Sequence, residues 1–75
     1  MFEEIDEFLK KVLSLHGIEG TYKIPSTPDK EGDYYIIVRA SNISSNKKAV
    51  DLSHKVQNAI QNRYGKNIYV SIIPA

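Results

Sequence analysis

Residues 34–40 read YYIIVRA, a run of aromatic and β-branched residues that indicates a β-strand. Successive side chains of a strand point to opposite faces of a sheet. One face of this strand is apolar and consists of Ile36, Val38 and Ala40. The other face consists of Tyr35, Ile37 and Arg39. The pattern predicts a strand with one face in a core and a second face that is also rich in apolar surface.

The chain before this strand is predicted to form a helix and a first strand. In residues 3–16, EEIDEFLKKVLSLH, apolar residues recur at spacings of three and four, which is typical of a helix with one apolar stripe. Gly17 stands where a left-handed residue ends such a helix. Residues 18–24, IEGTYKI, are predicted to pair with YYIIVRA as a hairpin, and the polar stretch PSTPDKEGD between them is predicted to be a solvated loop.

The chain after YYIIVRA is predicted to form a second helix and a third strand. Ser44 or Ser45 is expected to be the N-cap of a helix that runs to Arg63 and is ended by Gly65. Residues 67–73, NIYVSII, are predicted to be the last strand, which Pro74 ends because it cannot donate a hydrogen bond. We therefore expect one domain, residues 1–75, with an α+β fold: a two-layer αββαβ sandwich in which both helices cover one face of a three-stranded mixed sheet.

The sheet face that the helices do not cover is predicted to carry a large apolar patch. Its apolar members are Tyr35, Ile37, Tyr69 and Ile73. Contiguous apolar patches are typical of interaction sites, so we expect a second copy or another domain to cover this face as a dimer interface. The alternative interpretation is that tyrosine and β-branched residues simply suit exposed strands.

Composition limits the classes of function. A chain of 75 residues buries only about 60% of its unfolded surface, so help from a partner is expected. The absence of cysteine excludes disulfides and thiolate metal sites. Ten Lys and Arg against nine Asp and Glu do not demand nucleic acid or an anionic membrane. No apolar run approaches the roughly 20 residues that span a bilayer, and the N-terminus is acidic where a signal peptide is basic, so the chain is expected to be soluble.

Catalytic and metal-binding patterns are sparse. Serines and histidines occur outside any nucleophile elbow or triad, so no enzyme is expected. Asp51 and His54 are three residues apart on the second helix and can share a divalent cation, although a zinc site needs three or four ligands. The alternative is a solvated helix face. His16, at the end of the first helix, suits the negative end of the helix dipole.

Residues 17–20, GIEG, match the G-x-x-G loop with which some RNA-binding domains approach a phosphate. Glu19 repels a phosphate, and the loop joins a helix to a strand rather than two helices. A helix cap followed by a strand entry is therefore the preferred interpretation. RNA binding stays an alternative, because Tyr35 and Tyr69 can stack on bases. Basic residues lie on or near the second helix: Lys47, Lys48, Lys55, Arg63 and Lys66.

Four short phrases occur in a set order between Ile5 and Pro74. They are GIEG at 17–20, DYYI at 33–36, AVDL at 49–52 after a serine cap, and VSIIP at 70–74. With the order of elements, they resemble the cytosolic C-terminal domain of cation diffusion facilitator transporters. The resemblance implies a metallochaperone-like αββαβ domain that forms a V-shaped homodimer on the cytoplasmic side of the membrane, beside the transmembrane domain of the same transporter. It also implies that divalent cations, often zinc, bind near the dimer interface.

The positions at which that family usually carries metal ligands hold other residues here: Tyr22, Val50, Ser71 and Ile73. None of these is a good zinc ligand. Either Zn²⁺ or another divalent cation binds elsewhere, or the domain only dimerises. Candidates for another cation site are His54, Asp51 and His16, with the acidic residues Asp29, Glu31 and Asp33.

The resemblance implies a regulatory and dimerisation domain of a divalent-cation efflux transporter, with no nucleic acid as partner. Two alternatives stay open. One is a small RNA-binding module of the type II K-homology kind, and the other is a ring-building oligomerisation domain of a secretion or sporulation complex.

Overall fold

The structure, a computed structural model, describes residues 2–75. Five elements follow one another: α1 (Phe2–Leu15), β1 (Gly20–Tyr22), β2 (Tyr34–Ala40), α2 (Asn46–Tyr64) and β3 (Ile68–Pro74). This αββαβ order confirms the α+β fold predicted from the sequence. The prediction was wrong about the length of the first strand, which has three residues instead of the expected 18–24. Neither helix in the described part of the chain is long and apolar enough to cross a membrane.

The sheet is mixed, and β2 lies in its centre. β1 pairs with β2 in an antiparallel arrangement that sets Thr21 opposite Arg39. β3 pairs with β2 in a parallel arrangement that sets Tyr35 opposite Tyr69 and Arg39 opposite Ile73. The parallel pair is possible because α2 supplies the long connection that parallel neighbours require.

Both helices pack on the same face of the sheet. The strands contribute the buried residues Ile36, Val38, Ala40, Ile68, Val70 and Ile72. The helices contribute Ile5, Leu9, Val12, Leu13, Ala49, Leu52, Val56 and Ile60. All of them form one apolar cluster, and each large side chain that is fully buried contributes about 1.5–3 kcal/mol. No helix of residues 2–75 lies over the opposite face of the sheet.

α1 ends in the way that the sequence predicts. Gly17 has a φ of +67°, a left-handed conformation that glycine adopts without strain. The amide of Gly17 donates to Ser14 O (3.0 Å), and the amide of Ile18 donates to Leu13 O (2.9 Å). These two bonds and the burial of Leu13 and Ile18 define a Schellman motif.

The ends of α2 are capped differently. Ser45 is the N-cap, and its hydroxyl accepts from the amide of Lys48 at 3.3 Å. Ser44, the other candidate, lies outside the cap. Gly65 ends the helix with its amide on Gln61 O (3.1 Å). Its φ of +143° differs from the left-handed conformation of Gly17, so the two glycines end their helices by different geometries.

Three side chains of α2, spaced four residues apart, hydrogen-bond the outer edge of β3. Ser53 Oγ accepts from the amide of Ile72 (2.7 Å). Gln57 Oε1 accepts from the amide of Val70 (3.0 Å). Gln61 Nε2 donates to Ile68 O (2.9 Å). We call Ser53, Gln57 and Gln61 the edge ladder. Because an unpaired strand edge invites another strand, the edge ladder closes this side of the sheet.

Candidate interaction surface

The face of the sheet without helices, called the open face below, presents three rows of side chains. The register of β2 and β3 sets Tyr35 beside Tyr69, Ile37 beside Ser71, and Arg39 beside Ile73. On the other side of β2, Thr21 lies beside Arg39, and Lys23 follows two residues later on the same face.

The open face is apolar in its middle and along β3. Tyr35 is 54% exposed and Ile37 is 50% exposed, although both sit on the central strand. Tyr69 and Ile73 are half-buried by their neighbours. All four residues of the predicted dimer interface therefore lie together on one uncovered surface. Whether a second copy covers them stays a prediction.

Tyr35 and Tyr69 are already ordered against each other. Their rings stack with centroids 5.0 Å apart and an angle of 13° between the planes. Aromatic side chains offer a large contact area with few rotatable bonds, so little side-chain freedom remains to be lost when a partner binds. The pair forms one ordered aromatic unit, called the tyrosine platform below, at one end of the open face.

Three carboxylates lie in the loop that leads into β2 just before this platform, and we call Asp29, Glu31 and Asp33 the acidic loop. The Asp29 carboxylate accepts from the amides of Glu31 (3.0 Å) and Asp33 (2.9 Å), and these bonds fix the shape of the loop. Loss of hydration and the negative charges of Asp33, Asp29 and Glu31 raise the pKa of the Tyr35 hydroxyl above its usual value. The platform therefore lies in a negative field.

The other end of the open face is basic. Arg39 and Lys23 line a shallow concavity together with Thr21, Tyr35 and Ile37. Within residues 2–75, the ion pairs join Lys10 to Asp6 and Lys55 to Asp51. The Arg39 guanidinium thus has no carboxylate partner in the described chain, and the open face is negative at one end of β2 and positive at the other.

The apolar surface continues around the edge of β3. A shallow groove there is lined by Tyr69, Ile73 and Pro74 from β3 and by Val50 and His54 from α2. Val50 is 55% exposed. The groove extends the open face, so a partner that covers the sheet can also reach α2.

The predicted metal candidates are not brought together. Across residues 2–75, no group of three or more His, Cys, Asp and Glu side chains is placed to hold a metal ion. The Asp51 carboxylate lies 3.4 Å from Lys55 Nζ, whereas His54 lines the groove beside β3. His16 is exposed just beyond α1. A metal site on these residues stays a prediction, and it needs further ligands.

Tyr22, where the resembled family has a metal ligand, has a structural role in this chain. Its register opposite Val38 places it on the helix side of the sheet, where its hydroxyl donates to the Asp6 carboxylate at 2.5 Å. Asp6 also pairs with Lys10 at 3.5 Å. Burial, the hydrogen bond to Asp6 and the charge of Asp6 raise the pKa of Tyr22 far above its usual value. The bond ties β1 to α1.

The other three positions of that family's metal ligands also lie apart from any ligand set. Val50 of α2 lines the groove along β3 together with Ser71 and Ile73. Tyr22 is on the opposite side of the sheet, so these four positions do not surround one point.

The G-x-x-G segment is closed to a phosphate. Asn42 accepts from the amide of Glu19 (2.9 Å) and donates to Gly17 O (2.7 Å), and the amides of Gly17 and Ile18 are used in the helix cap. A side chain at Gly20 would collide with the backbone carbonyl of Arg39. The segment is therefore a helix cap and a strand entry, as expected, and the bracing role of Asn42 was not anticipated from the sequence.

Two of the basic residues near α2 are engaged within the chain. The Arg63 guanidinium lies 5.0 Å above the Phe8 ring, and its Nε donates to the Tyr64 hydroxyl. Lys55 pairs with Asp51. The set of five basic residues thus does not form a free phosphate-binding stripe.

Comparison of the chain with protein-family models finds no match, and comparisons with curated proteins and with solved structures find none either.

Proposed function

We propose that this chain is a homodimerising domain whose two copies join through the open face, and that it serves as the regulatory and dimerisation domain of a divalent-cation efflux transporter on the cytosolic side of the membrane. The observation that carries the dimer is the exposure of Tyr35 and Ile37 beside Tyr69 and Ile73. The transporter assignment rests on the αββαβ order and the four phrases that resemble that family.

The size of the open face supports a modest affinity. With strands about 4.8 Å apart and about 3.3 Å per residue, two strands of seven residues and one of three cover roughly 270 Å² before side-chain relief. A standard stable interface buries about 800 Å² on each partner. The groove along β3 adds contact area, but the total stays small. We expect a dimer with a Kd in roughly the micromolar range.

The charges of the open face favour a protein partner over RNA. The tyrosine platform on which bases would stack lies near the carboxylates of the acidic loop. These carboxylates repel the phosphates on either side of a stacked base. The open face of a second copy carries basic as well as acidic side chains, so its basic end can lie opposite these carboxylates without repulsion.

Sedimentation velocity between about 1 µM and 1 mM protein tests the dimer. We expect the wild-type chain to change from monomer to dimer over this range and Ile37→Asp to remain a monomer, because a buried charge at the centre of the interface is unpaired. Leu15→Asp is the matched control, because Leu15 is 83% exposed at the end of α1. A wild-type monomer at the highest concentration, or a dimer of Ile37→Asp with wild-type affinity, contradicts the proposal.

The regulatory part is tested by repeating the sedimentation with Zn²⁺. A cation-regulated domain dimerises more tightly with Zn²⁺, and His54→Ala removes the response whereas His16→Ala keeps it. A dimer that ignores Zn²⁺ contradicts cation regulation and leaves a purely structural dimerisation domain. Tight binding to a single-stranded RNA oligonucleotide with a steep salt dependence would favour the RNA-binding alternative.

A further inference from the structure

We propose that the two copies pack open face to open face about a two-fold axis that runs across the strands, so that Arg39 of each copy lies over the partner's Tyr35 beside its acidic loop. This inference rests on the proposed function, since it specifies the geometry of that dimer. It is argued from the order of the strands and from the opposite charges at the two ends of β2.

Symmetry limits the arrangements. Two identical faces that close into a dimer are related by a two-fold axis in the plane between them. Packed sheets are either aligned within about 30° or orthogonal. The open face is longer than it is wide, about 23 by 14 Å. Crossing two such faces at right angles overlaps only about 14 by 14 Å of each, whereas aligned packing overlaps the full length of β2. Aligned packing therefore buries more apolar area, and the axis runs either along or across the strands.

An axis along the strands gives poor contacts. The strands of the two copies would then be parallel, and each position on the central strand would meet itself, so Arg39 would face Arg39. Because β1 and β3 flank β2 on opposite sides, β3 would lie over the partner's β1. Tyr69 and Ile73 would then rest on the partner's polar β1 side, where Thr21 and Lys23 lie.

An axis across the strands gives matched contacts on β2 and β3. It sets β3 over β3 with the strand direction reversed about the row of Ile37 and Ser71. Ile37 then meets the partner's Ile37, and Tyr69 meets the partner's Ile73, so apolar surface covers apolar surface. At the ends of β2, Arg39 lies over the partner's Tyr35. The exposed Lys23, which follows β1 in the row of Ile37, approaches the partner's Lys23 at the rim of the face.

The contact at the ends of β2 joins groups that have no such partner within one copy. Arg39 forms no ion pair within residues 2–75, and a guanidinium over an aromatic ring is attracted by the ring face. The carboxylates near Tyr35 add to the attraction. The contact occurs twice in each dimer because the axis relates the two copies.

Charge reversal tests the direction of the axis by sedimentation. Arg39→Glu and Asp33→Arg each place like charges in opposition, so we expect each variant alone to dimerise about tenfold or more weakly than wild type. Their equimolar mixture restores opposite charges at both contacts and regains a dimer close to wild-type affinity. Glu31→Arg, at an exposed position of the same loop, replaces Asp33→Arg if the latter does not fold, as judged by circular dichroism.

The mixture of Arg39→Glu with wild type separates the two axes. With the axis across the strands, the heterodimer of Arg39→Glu with wild type has one contact of like charges, so we expect it to be weaker than the wild-type homodimer. With the axis along the strands, the introduced carboxylate would face the wild-type guanidinium of Arg39, so the heterodimer would be tighter than the wild-type homodimer. That result, or single variants that dimerise as wild type does, overturns the proposed axis while the dimer itself stands. A wild-type chain that stays monomeric removes the proposed function instead.

Discussion

At the scale of single residues, Tyr22 shows how one hydroxyl fixes the placement of a strand. Its phenol lies on the core side of the short β1 and reaches the Asp6 carboxylate on α1 at 2.5 Å. A half-buried phenol needs a hydrogen-bond partner, and a charged acceptor makes the bond stronger than a neutral one. β1 has only three residues in the sheet, so this contact with α1 adds to the short ladder that it forms with β2.

Replacing this hydroxyl should destabilise the chain. We expect Tyr22→Phe to lower the free energy of unfolding by about 1–3 kcal/mol, since a hydrogen bond to a charged group is lost while the ring remains. Urea unfolding at pH 7 measures the effect. Tyr69→Phe is the matched control, because the Tyr69 hydroxyl makes no hydrogen bond within the described chain, and its change should stay within about 0.5 kcal/mol. Equal losses in the two variants would contradict the role of Tyr22.

The same residue predicts a dependence of stability on pH. Burial and Asp6 raise the pKa of Tyr22 in the folded chain, so the folded state holds its proton more tightly than the unfolded state does. The resulting stabilisation is fully present below the unfolded pKa of about 10 and is lost as pH rises above it. Thermal unfolding from about pH 8 to about pH 12 should show a decline that is less steep in Tyr22→Phe than in Tyr69→Phe. Parallel declines in both variants would rule out this linkage.

At the scale of elements, the edge ladder joins α2 to β3 by bonds of opposite polarity. Gln57 accepts from the amide of Val70, whereas Gln61 donates to the carbonyl oxygens of Ile68 and Lys66. The bonds to Val70 and Ile68 satisfy backbone groups at the edge of β3 that faces no other strand of residues 2–75, and a backbone group buried without a partner is costly. Whether each side chain donates or accepts therefore depends on whether it faces a backbone carbonyl or a backbone amide.

Replacing glutamine by glutamate at Gln57 and at Gln61 should therefore change the free energy of unfolding by different amounts. Gln57→Glu keeps an acceptor for the amide of Val70, and we expect its free energy of unfolding to stay within about 0.5 kcal/mol of wild type. Gln61→Glu replaces a donor by a carboxylate that faces carbonyl oxygens, and we expect a loss of about 1–3 kcal/mol. Urea unfolding at pH 7 compares the two. Similar losses at both positions would show that these side chains do not act through hydrogen bonds.

The sequence predicts the bounds of an element well where the types of neighbouring residues determine where it begins and ends. The bounds of β2 match YYIIVRA because a β-branched and aromatic run ends in polar residues on both sides. β1 begins later than predicted because Ile18 uses its amide in the cap of α1.

Contacts between distant segments could not be predicted in the same way. The brace of Asn42 on the G-x-x-G segment, the bond of Tyr22 to Asp6 and the edge ladder all join residues from separate elements. Their formation depends on the strand register and on the packing of both helices, which periodicity alone does not specify. The apolar open face was predicted because it follows from alternation within single strands.

At the scale of the whole molecule, the chain has a small core and one large uncovered surface. With 75 residues it has little apolar surface to bury, and the helices cover only one side of the sheet. The proposed dimer would add burial without lengthening the chain. Folding and association would then be linked, because a partner that binds only the folded state stabilises that state.

This linkage predicts that thermal stability depends on protein concentration. Scanning calorimetry of the wild-type chain should show a Tm that rises between about 10 µM and 1 mM, since more of the folded chain is dimeric at the higher concentration. The Tm of Ile37→Asp should stay constant over the same range. A constant wild-type Tm would indicate that the open face gains no burial in solution.

The edge ladder also joins two elements whose residues repeat at different distances along their axes. Four residues of a helix advance about 6.0 Å, whereas two residues of a strand advance about 6.6 Å. The two repeats therefore drift apart by about 0.6 Å at each hydrogen bond of the ladder. The short Ser53 sits at one end, and the longer, more adaptable Gln57 and Gln61 follow as the drift grows. Sliding α2 along β3 by one residue would misalign all three hydrogen bonds at once. The edge ladder therefore fixes the position of the helix along the strand.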